Sequence, residues 1–165
     1  MQTNFLEEFE LRKALTKYQD AIKLDPNNAG PFNGIAGAYT GLGDFVTAIK
    51  YYEKAIELDP NQAGPFNGIG SAYLALENSE RAIEYFKKAV KLDPNDVSSW
   101  YYLGSAHLAL KQYENALDVF KDALKIHTDS IFIINGLALS RYNIQKTVKP
   151  VTNLRPTNSK PSFRL

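Results

Sequence analysis

No side chains in this sequence stand at a spacing that is typical of a catalytic site. The chain has two histidines, His107 and His127, and no cysteine. Neither histidine has a ligand partner at the spacing of a metal site. No pairing of a nucleophile with a base can be read from the sequence. We therefore predict that the protein is not an enzyme and that it has no catalytic residue, no metal ion and no cofactor.

Glycine-rich and charged segments add no chemical site. Gly37, Gly41 and Gly43 resemble a nucleotide-binding loop only superficially, because they fall inside and at the end of a predicted helix with no strand before it. The net charge of +1 provides no field for nucleic acid. No apolar stretch reaches the ~18 residues of a membrane helix, and the first residues do not read as a signal peptide. We predict a cytoplasmic protein with no nucleic-acid partner and no membrane insertion.

Charge is uneven along the chain and marks a boundary. Residues 1–144 hold 14 basic and 18 acidic side chains, whereas residues 145–165 hold five basic side chains and no acidic one. Pro150, Pro156 and Pro161 interrupt the basic segment. We predict an irregular tail from about Lys146, which is either only a solvated end or a segment that contacts an acidic surface in a salt-dependent way.

A repeat of 34 residues organises the rest of the chain. Leu-Asp-Pro begins at residues 24, 58 and 92, and Pro-Phe-Asn-Gly-Ile begins at residues 31 and 65. The segments 29–62 and 63–96 are identical at 19 of 34 positions. Each segment predicts two helices, because apolar residues recur at helical spacing and the prolines stand at helix boundaries.

The pattern within each segment resembles the tetratricopeptide repeat family. That family has a bulky aromatic residue, then Leu, Gly or Ala, Tyr, Ala, Phe or Tyr, Ala and Pro at fixed slots. The first unit has Phe32, Ile35, Ala36, Tyr39, Ala48, Tyr52, Ala55 and Pro60. The second has Phe66, Ile69, Gly70, Tyr73, Ala82, Phe86, Ala89 and Pro94. The third has Trp100, Leu103, Gly104, His107, Ala116, Phe120, Ala123 and Thr128, and therefore departs at His107 and Thr128.

The resemblance implies an all-α fold, a right-handed superhelical solenoid of antiparallel helix pairs. It implies a half repeat over residues 1–28 that holds a second helix only, followed by full repeats over 29–62, 63–96 and 97–130. A half repeat or capping helix would follow over 131–144, and residues 145–165 would form a flexible basic tail. Because a single helix pair cannot bury its apolar face alone, the slot residues are predicted to be core.

In this family the first helix of each unit lines a concave groove that holds a protein or peptide partner. The resemblance therefore implies a binding groove formed by these residues: Asn33, Gly34, Gly37, Asn67, Gly68, Ser71, Tyr101, Tyr102, Ser105 and Asn135. Asparagine recurs at one slot, and its amide can both donate and accept hydrogen bonds to a peptide backbone. We predict that replacing Asn67 by alanine weakens partner binding with little loss of stability.

The glycine that follows each of these asparagines needs an explanation, because a glycine inside a helix costs up to about 1 kcal/mol relative to alanine. Close approach of a ligand backbone is one explanation. Close packing between helices is a second, and neutral inheritance from the duplication is a third.

The type of ligand follows from what the groove lacks. Some family members bind the C-terminal carboxylates of chaperone tails through lysine, arginine and asparagine on the first helices. The groove slots of the three full units hold no lysine or arginine. We predict that this carboxylate clamp is missing and that the groove prefers a neutral, partly apolar segment.

The two half repeats are complementary parts of one unit. Head-to-tail stacking of two chains would complete that unit and give a homo-oligomer. The predicted contact residues are Leu11, Leu15, Tyr18, Ile134, Leu137 and Tyr142. A longer repeat array, a tail that folds back as a cap, or another protein over the ends would cover the same faces.

The function predicted first is a protein–protein interaction scaffold that binds a peptide or partner segment in the concave groove. The alternative is a structural subunit, either of a larger complex or of a head-to-tail oligomer formed through uncapped ends. A third reading is substrate recruitment for an enzyme encoded elsewhere.

Overall fold

The structure, a computed structural model, describes residues 5–148, and over these residues the chain forms helices without strands. Turns of three or four residues join the helices. The helices are α1 Phe5–Leu24, α2 Ala29–Gly41, α3 Phe45–Leu58, α4 Ala63–Ala75, α5 Ser79–Leu92, α6 Val97–Ala109, α7 Tyr113–Ile126 and α8 Ile131–Thr147. The predicted all-α repeat fold is confirmed.

The even-numbered helices line the inner side of the stack. Each of α2, α4 and α6 contacts the next even-numbered helix, whereas α3, α5 and α7 make no contact with one another within residues 5–148. Consecutive helices all pack together. Helices that touch one another along a curved stack lie on its inside, because those on the outside are spread apart. We call the inner side of α2, α4, α6 and α8 the concave surface.

One turn in each unit requires an unusual backbone conformation. A residue with positive φ stands two positions before the start of α3, α5 and α7. The residues with positive φ are Gly43, Glu77 and Lys111. Glycine adopts this left-handed conformation without strain, whereas a residue with a Cβ does so at a cost. Asp44 then accepts a hydrogen bond from the backbone N–H of Thr47 and caps α3.

An aromatic ring on each odd-numbered helix connects successive units. Phe86 and Phe120 are completely buried and Tyr52 is buried, whereas Tyr18 of the first helix is 36% exposed. The rings on α3, α5 and α7 lie beside fully buried alanines of their own helices, which let the helices approach closely: Ala48, Ala55, Ala82, Ala89, Ala116 and Ala123. The core therefore runs from α2 to α8 as a row of clusters, whereas α1 has no buried residue.

The last helix is longer than the sequence predicted. It ends at Thr147, beyond the expected boundary at residue 144, so Lys146 is helical and the predicted irregular segment does not begin there. The prolines of the predicted tail fall in residues 149–165, which lie outside the described residues. The proposal of a basic tail stays a prediction.

Candidate functional site

Twenty exposed or half-buried residues form one stripe along the concave surface. On each even-numbered helix they share a face, at the spacing i, i+3, i+7, i+10 and i+11. The stripe consists of Gly30, Asn33, Gly37, Thr40 and Gly41; Gly64, Asn67, Ser71, Leu74 and Ala75; Ser98, Tyr101, Ser105, Leu108 and Ala109; Phe132, Asn135, Leu139, Tyr142 and Asn143. We call it the concave stripe. None of its members carries a charge.

The structure places seven of the ten predicted groove residues on the concave stripe. These are Asn33, Gly37, Asn67, Ser71, Tyr101, Ser105 and Asn135. The other three, Gly34, Gly68 and Tyr102, occupy the slot that faces the preceding odd-numbered helix. The slot that lies three residues before the asparagine slot was not assigned to the groove from the sequence. On α8 this slot holds Phe132. Helical spacing alone could have identified this slot, since i and i+3 share a face.

The glycines after the asparagines make room for aromatic rings of the protein itself. A Cβ added to Gly34 would lie 2.4 Å from the ring of Tyr18, and one added to Gly68 would lie 2.2 Å from the ring of Tyr52. No real Cβ comes so close to a ring, so packing between helices explains these glycines. Gly34 and Gly68 are therefore corrected from ligand-contact residues to packing residues. Gly37 differs, because its added Cβ would meet only the Tyr52 hydroxyl oxygen, at 3.9 Å.

Two tyrosines replace the asparagine–glycine pair in the third unit. Tyr102 takes the glycine slot and stacks on Phe86 of the preceding unit, with ring centroids 5.6 Å apart. Tyr101 takes the asparagine slot and meets Tyr102 and Phe132 edge-on, at centroid distances of 5.5 and 5.8 Å. The concave stripe therefore changes from small and polar residues on α2 and α4 to aromatic residues where α6 meets α8.

Two clefts lie between α6 and α8 on this aromatic part. The larger, of about 300 Å³, is lined by Val97, Ser98, Tyr101, Tyr102 and Phe132. The smaller, of about 150 Å³, is lined by Tyr101, Ser105, Leu108, Phe120, Asn135, Gly136 and Leu139. Tyr101 stands between the two clefts, because it lines both. We call them together the C-terminal trough.

Asn67 is already hydrogen-bonded inside the protein. Its side-chain amide donates to the Asp96 carboxylate at 2.9 Å and to the Ser99 hydroxyl at 2.7 Å. Asp96 caps α6, the first helix of the next unit, and Ser99 lies in that helix. Partial burial opposes ionisation of Asp96. Hydrogen bonds from Ser99, from the Ser98 backbone and from Asn67 outweigh burial and hold the pKa of Asp96 below its ordinary value. Asn67 therefore connects two repeats, whatever it does for a ligand.

Replacing Asn67 with alanine should lower the free energy of unfolding by about 1–2 kcal/mol at pH 7, because the buried acceptors lose a donor. This corrects the expectation of little loss of stability. Because the pKa of Asp96 is depressed in the folded state, its carboxylate stabilises the fold at pH values above about 4, the ordinary pKa of an aspartate. That stabilisation is lost as the pH falls through the folded-state pKa. The alanine variant should have a smaller depression of the Asp96 pKa. Urea unfolding at decreasing pH should therefore show the difference from the parent shrinking in acid.

Asn33 is the matched control for this measurement. It occupies the same slot one unit earlier, where Gln62 and Pro65 replace Asp96 and Ser99. No side-chain hydrogen bond of Asn33 occurs within residues 5–148. Asn33→Ala should therefore change the stability by less than about 0.5 kcal/mol. Equal losses in the two variants would contradict the role assigned to the Asn67 amide.

The predicted end-contact residues fall into three groups. Leu11 and Leu15 are half-buried against the first unit, since Leu11 packs beside Gly41 and Leu15 lies beside Tyr39. Leu137 is buried in the last core cluster. Leu137 is therefore not free for an end contact, and its assignment is corrected; Leu11 and Leu15 keep part of their surface exposed, and their assignment stays a prediction.

The remaining end-contact residues do not form one surface. The ring of Tyr18 is committed on one side to Gly34. Tyr142 is exposed but belongs to the concave stripe, so Ile134 is the one predicted contact residue of α8 that is exposed outside the stripe.

The histidine in the tyrosine slot is a packed residue. His107 is buried, and its Nδ1 lies 2.7 Å from the Gln112 side-chain oxygen. Burial lowers the pKa of His107; Lys87 adds to this effect, and the hydrogen bond with Gln112 opposes it. Within residues 5–148 no three His, Asp or Glu side chains come together as a metal site requires. Among the described helices, none combines the length and apolar composition needed to cross a bilayer.

Comparison with known families agrees with this geometry. Two family profiles, each described as a tetratricopeptide repeat, match residues 31–62 and 67–131, which together are more than half of the chain. The chain belongs to the tetratricopeptide repeat family. No curated protein matches the sequence.

Solved tetratricopeptide repeat proteins share the fold at low sequence identity. The first TPR of Spaghetti (RPAP3) bound to the HSP90 peptide SRMEEVD has 22% identity and a TM-score of 0.67, over 73% of this chain and 96% of that chain. MamA has 19% identity and a TM-score of 0.75, over 88% of this chain and 87% of that chain. The Sgt2 TPR domain from Aspergillus fumigatus has 19% identity and a TM-score of 0.68, over 83% and 87%.

Proposed function

We propose that this tetratricopeptide repeat protein is an interaction scaffold that holds an extended segment of another protein along the concave stripe. The observation that supports this proposal is the composition of the stripe. It runs across all four even-numbered helices without one charged residue, in a chain of which 22% is charged. An uncharged strip of glycine, asparagine, serine and aromatic residues suits a peptide backbone and apolar side chains better than it suits water.

The class of ligand follows from the same composition. The RPAP3 structure holds an HSP90 peptide with two glutamates and a C-terminal aspartate. A groove for such a ligand needs basic side chains, because carboxylates bind through charge-assisted hydrogen bonds. The concave stripe has no lysine or arginine. We therefore assign it to an uncharged, partly apolar segment.

Head-to-tail assembly has less support than peptide binding. In the first two units the first-helix tyrosine packs on a tyrosine of the second helix: Tyr39 stacks on Tyr51 at 5.7 Å, and Tyr73 meets Tyr85 at 5.6 Å with a tilt between the rings. At the junction of two chains the 34-residue register would put Arg141 against Lys17 in this pair of slots. Two cations in place of stacked rings oppose the junction. A cytoplasmic location stays a prediction of the sequence alone.

Blocking the groove should abolish peptide binding. Peptides of 12 residues selected from a phage library on the immobilised protein should bind the parent and lose at least about tenfold in affinity for Gly37→Arg. The added side chain has room at this exposed position, and it would lie on the part of the stripe that α2 provides. Fluorescence anisotropy of the labelled peptides measures the effect.

Val46→Arg is the control for this variant. It adds the same charge at a residue that is 57% exposed on the outer helix α3. It should leave the affinity unchanged, and the SRMEEVD peptide should not bind either variant or the parent. Selected peptides that bind Gly37→Arg as well as they bind the parent would contradict the proposed groove.

A further inference from the structure

We infer that the C-terminal trough is the specificity subsite of the groove and that it takes two large apolar side chains, two residues apart, on an extended and uncharged peptide. This inference rests on the proposed function and adds the recognised motif. The peptide-binding groove as a whole could be nonspecific, whereas the trough differs in chemistry from the rest of the stripe.

The chemistry of the trough identifies the kind of side chain. Aromatic and aliphatic residues line it, and no charged residue lines either cleft. Phe132 is 60% exposed, so a ligand ring would remove apolar surface from water. Tyr101 and Phe132 already meet edge-on at 5.8 Å, and a guest aromatic ring could continue this arrangement.

The polar groups of the trough suit a peptide backbone. The Tyr101 and Tyr102 hydroxyls make no hydrogen bond within residues 5–148. Ser98 and Ser105 line the clefts beside them. Hydroxyls both donate and accept, so they can bind backbone N–H and C=O groups without requiring a charge.

The two clefts set the spacing of the anchors. The α6 residues that line the larger cleft fall in the segment 97–102, and those that line the smaller one fall in the segment 101–108. The centres of these segments are about five residues apart, which at 1.5 Å per residue is about 8 Å along the helix. Side chains at i and i+2 of an extended chain are about 7 Å apart and point to the same side. The trough therefore fits an apolar–x–apolar motif on a part of the segment that follows α6, whereas the rest of the stripe crosses the helices.

The test uses four labelled, capped heptapeptides with the full-length protein. GSFSLSG carries the motif, GSFLSSG has adjacent anchors, GSFSSSG has one anchor, and GSDSDSG has two carboxylates. Anisotropy should show the first peptide binding at least about tenfold more tightly than the other three. Equal binding of GSFSLSG and GSFLSSG would overturn the motif.

Two adjacent residues locate the subsite. Phe132→Ser should weaken GSFSLSG binding at least about tenfold, whereas Ile131→Ser should leave it unchanged. Ile131 is a matched control because it is 64% exposed on the same helix but lines neither cleft. Equal losses would overturn the assignment. Peptides from the library that are sensitive to Gly37→Arg but not to Phe132→Ser would overturn the subsite and leave the proposed function intact.

The chain contains the same motif near its end, so its own segment is the main competing occupant. Phe163 and Leu165 are two residues apart. If the trough serves an external ligand, the substitution Phe163→Ser should not shift the NMR signals of the Tyr101 and Phe132 rings. Movement of both signals would assign the trough to the chain's own C-terminus. Sedimentation that shows Phe132-dependent dimers would assign it to a second copy, and either result would overturn the inference.

Discussion

Replacing Gly68 with alanine should lower the free energy of unfolding by about 2–3 kcal/mol, although alanine is the better helix former. The added Cβ would lie 2.2 Å from the Tyr52 ring, and Tyr52 is buried between two units. Either the ring or the helix α4 must shift, and both contact the core of the stack. Urea unfolding followed by circular dichroism measures the loss.

Gly37→Ala provides the control from the same kind of position. It also lies inside a first helix, but its added Cβ would meet only the Tyr52 hydroxyl oxygen, at 3.9 Å. We expect it to increase stability by up to about 1 kcal/mol, the ordinary gain of alanine over glycine in a helix. A loss in Gly37→Ala similar to that in Gly68→Ala would show that the ring contact is not the cause. In the Gly68→Ala background, Tyr52→Leu should restore part of the lost stability. In the parent background the same substitution should bring no gain in stability.

Replacing Phe120 with alanine should cost about 3–5 kcal/mol, the usual range for a fully buried phenylalanine. A Cβ added to Gly104 or to Gly136 would lie 2.3 Å from this ring, so the ring fills the space between α6 and α8. Its loss should therefore detach α8 in particular, since repeat proteins depend on contacts between neighbours. Hydrogen exchange should show the amides of α8 losing more protection than those of α2.

Tyr18→Ala removes the ring from the same slot at the other end of the stack and serves as the comparison. Because Tyr18 is 36% exposed and, within residues 5–148, its helix contacts α2 alone, we expect a loss of about 1 kcal/mol. Similar losses at the two slots, or uniform loss of protection along the chain in Phe120→Ala, would contradict the view that this ring connects α6 to α8.

The sequence by itself determined the repeat, the helix pairs and the core. The spacing of 34 residues and the alanine and aromatic slots identify the packed residues, because a helix pair must bury the same face in every copy. Helical spacing also puts Asn33 and Gly37 on one face. Local periodicity carries this information, whereas the concave position of that face was implied only by the resemblance to the family.

Only the tertiary structure decided what the conspicuous residues of that surface do. The sequence does not show which side chain Gly68 contacts. Its neighbour is Tyr52 of the preceding helix, and the distance between that ring and the Gly68 backbone depends on how the two helices pack. Asn67 looks equivalent to Asn33, yet of the two only Asn67 reaches a carboxylate, because Asp96 at the start of α6 stands within hydrogen-bond distance. The C-terminal trough arises in the same way, since Phe132 and Tyr101 become neighbours only when α8 packs beside α6.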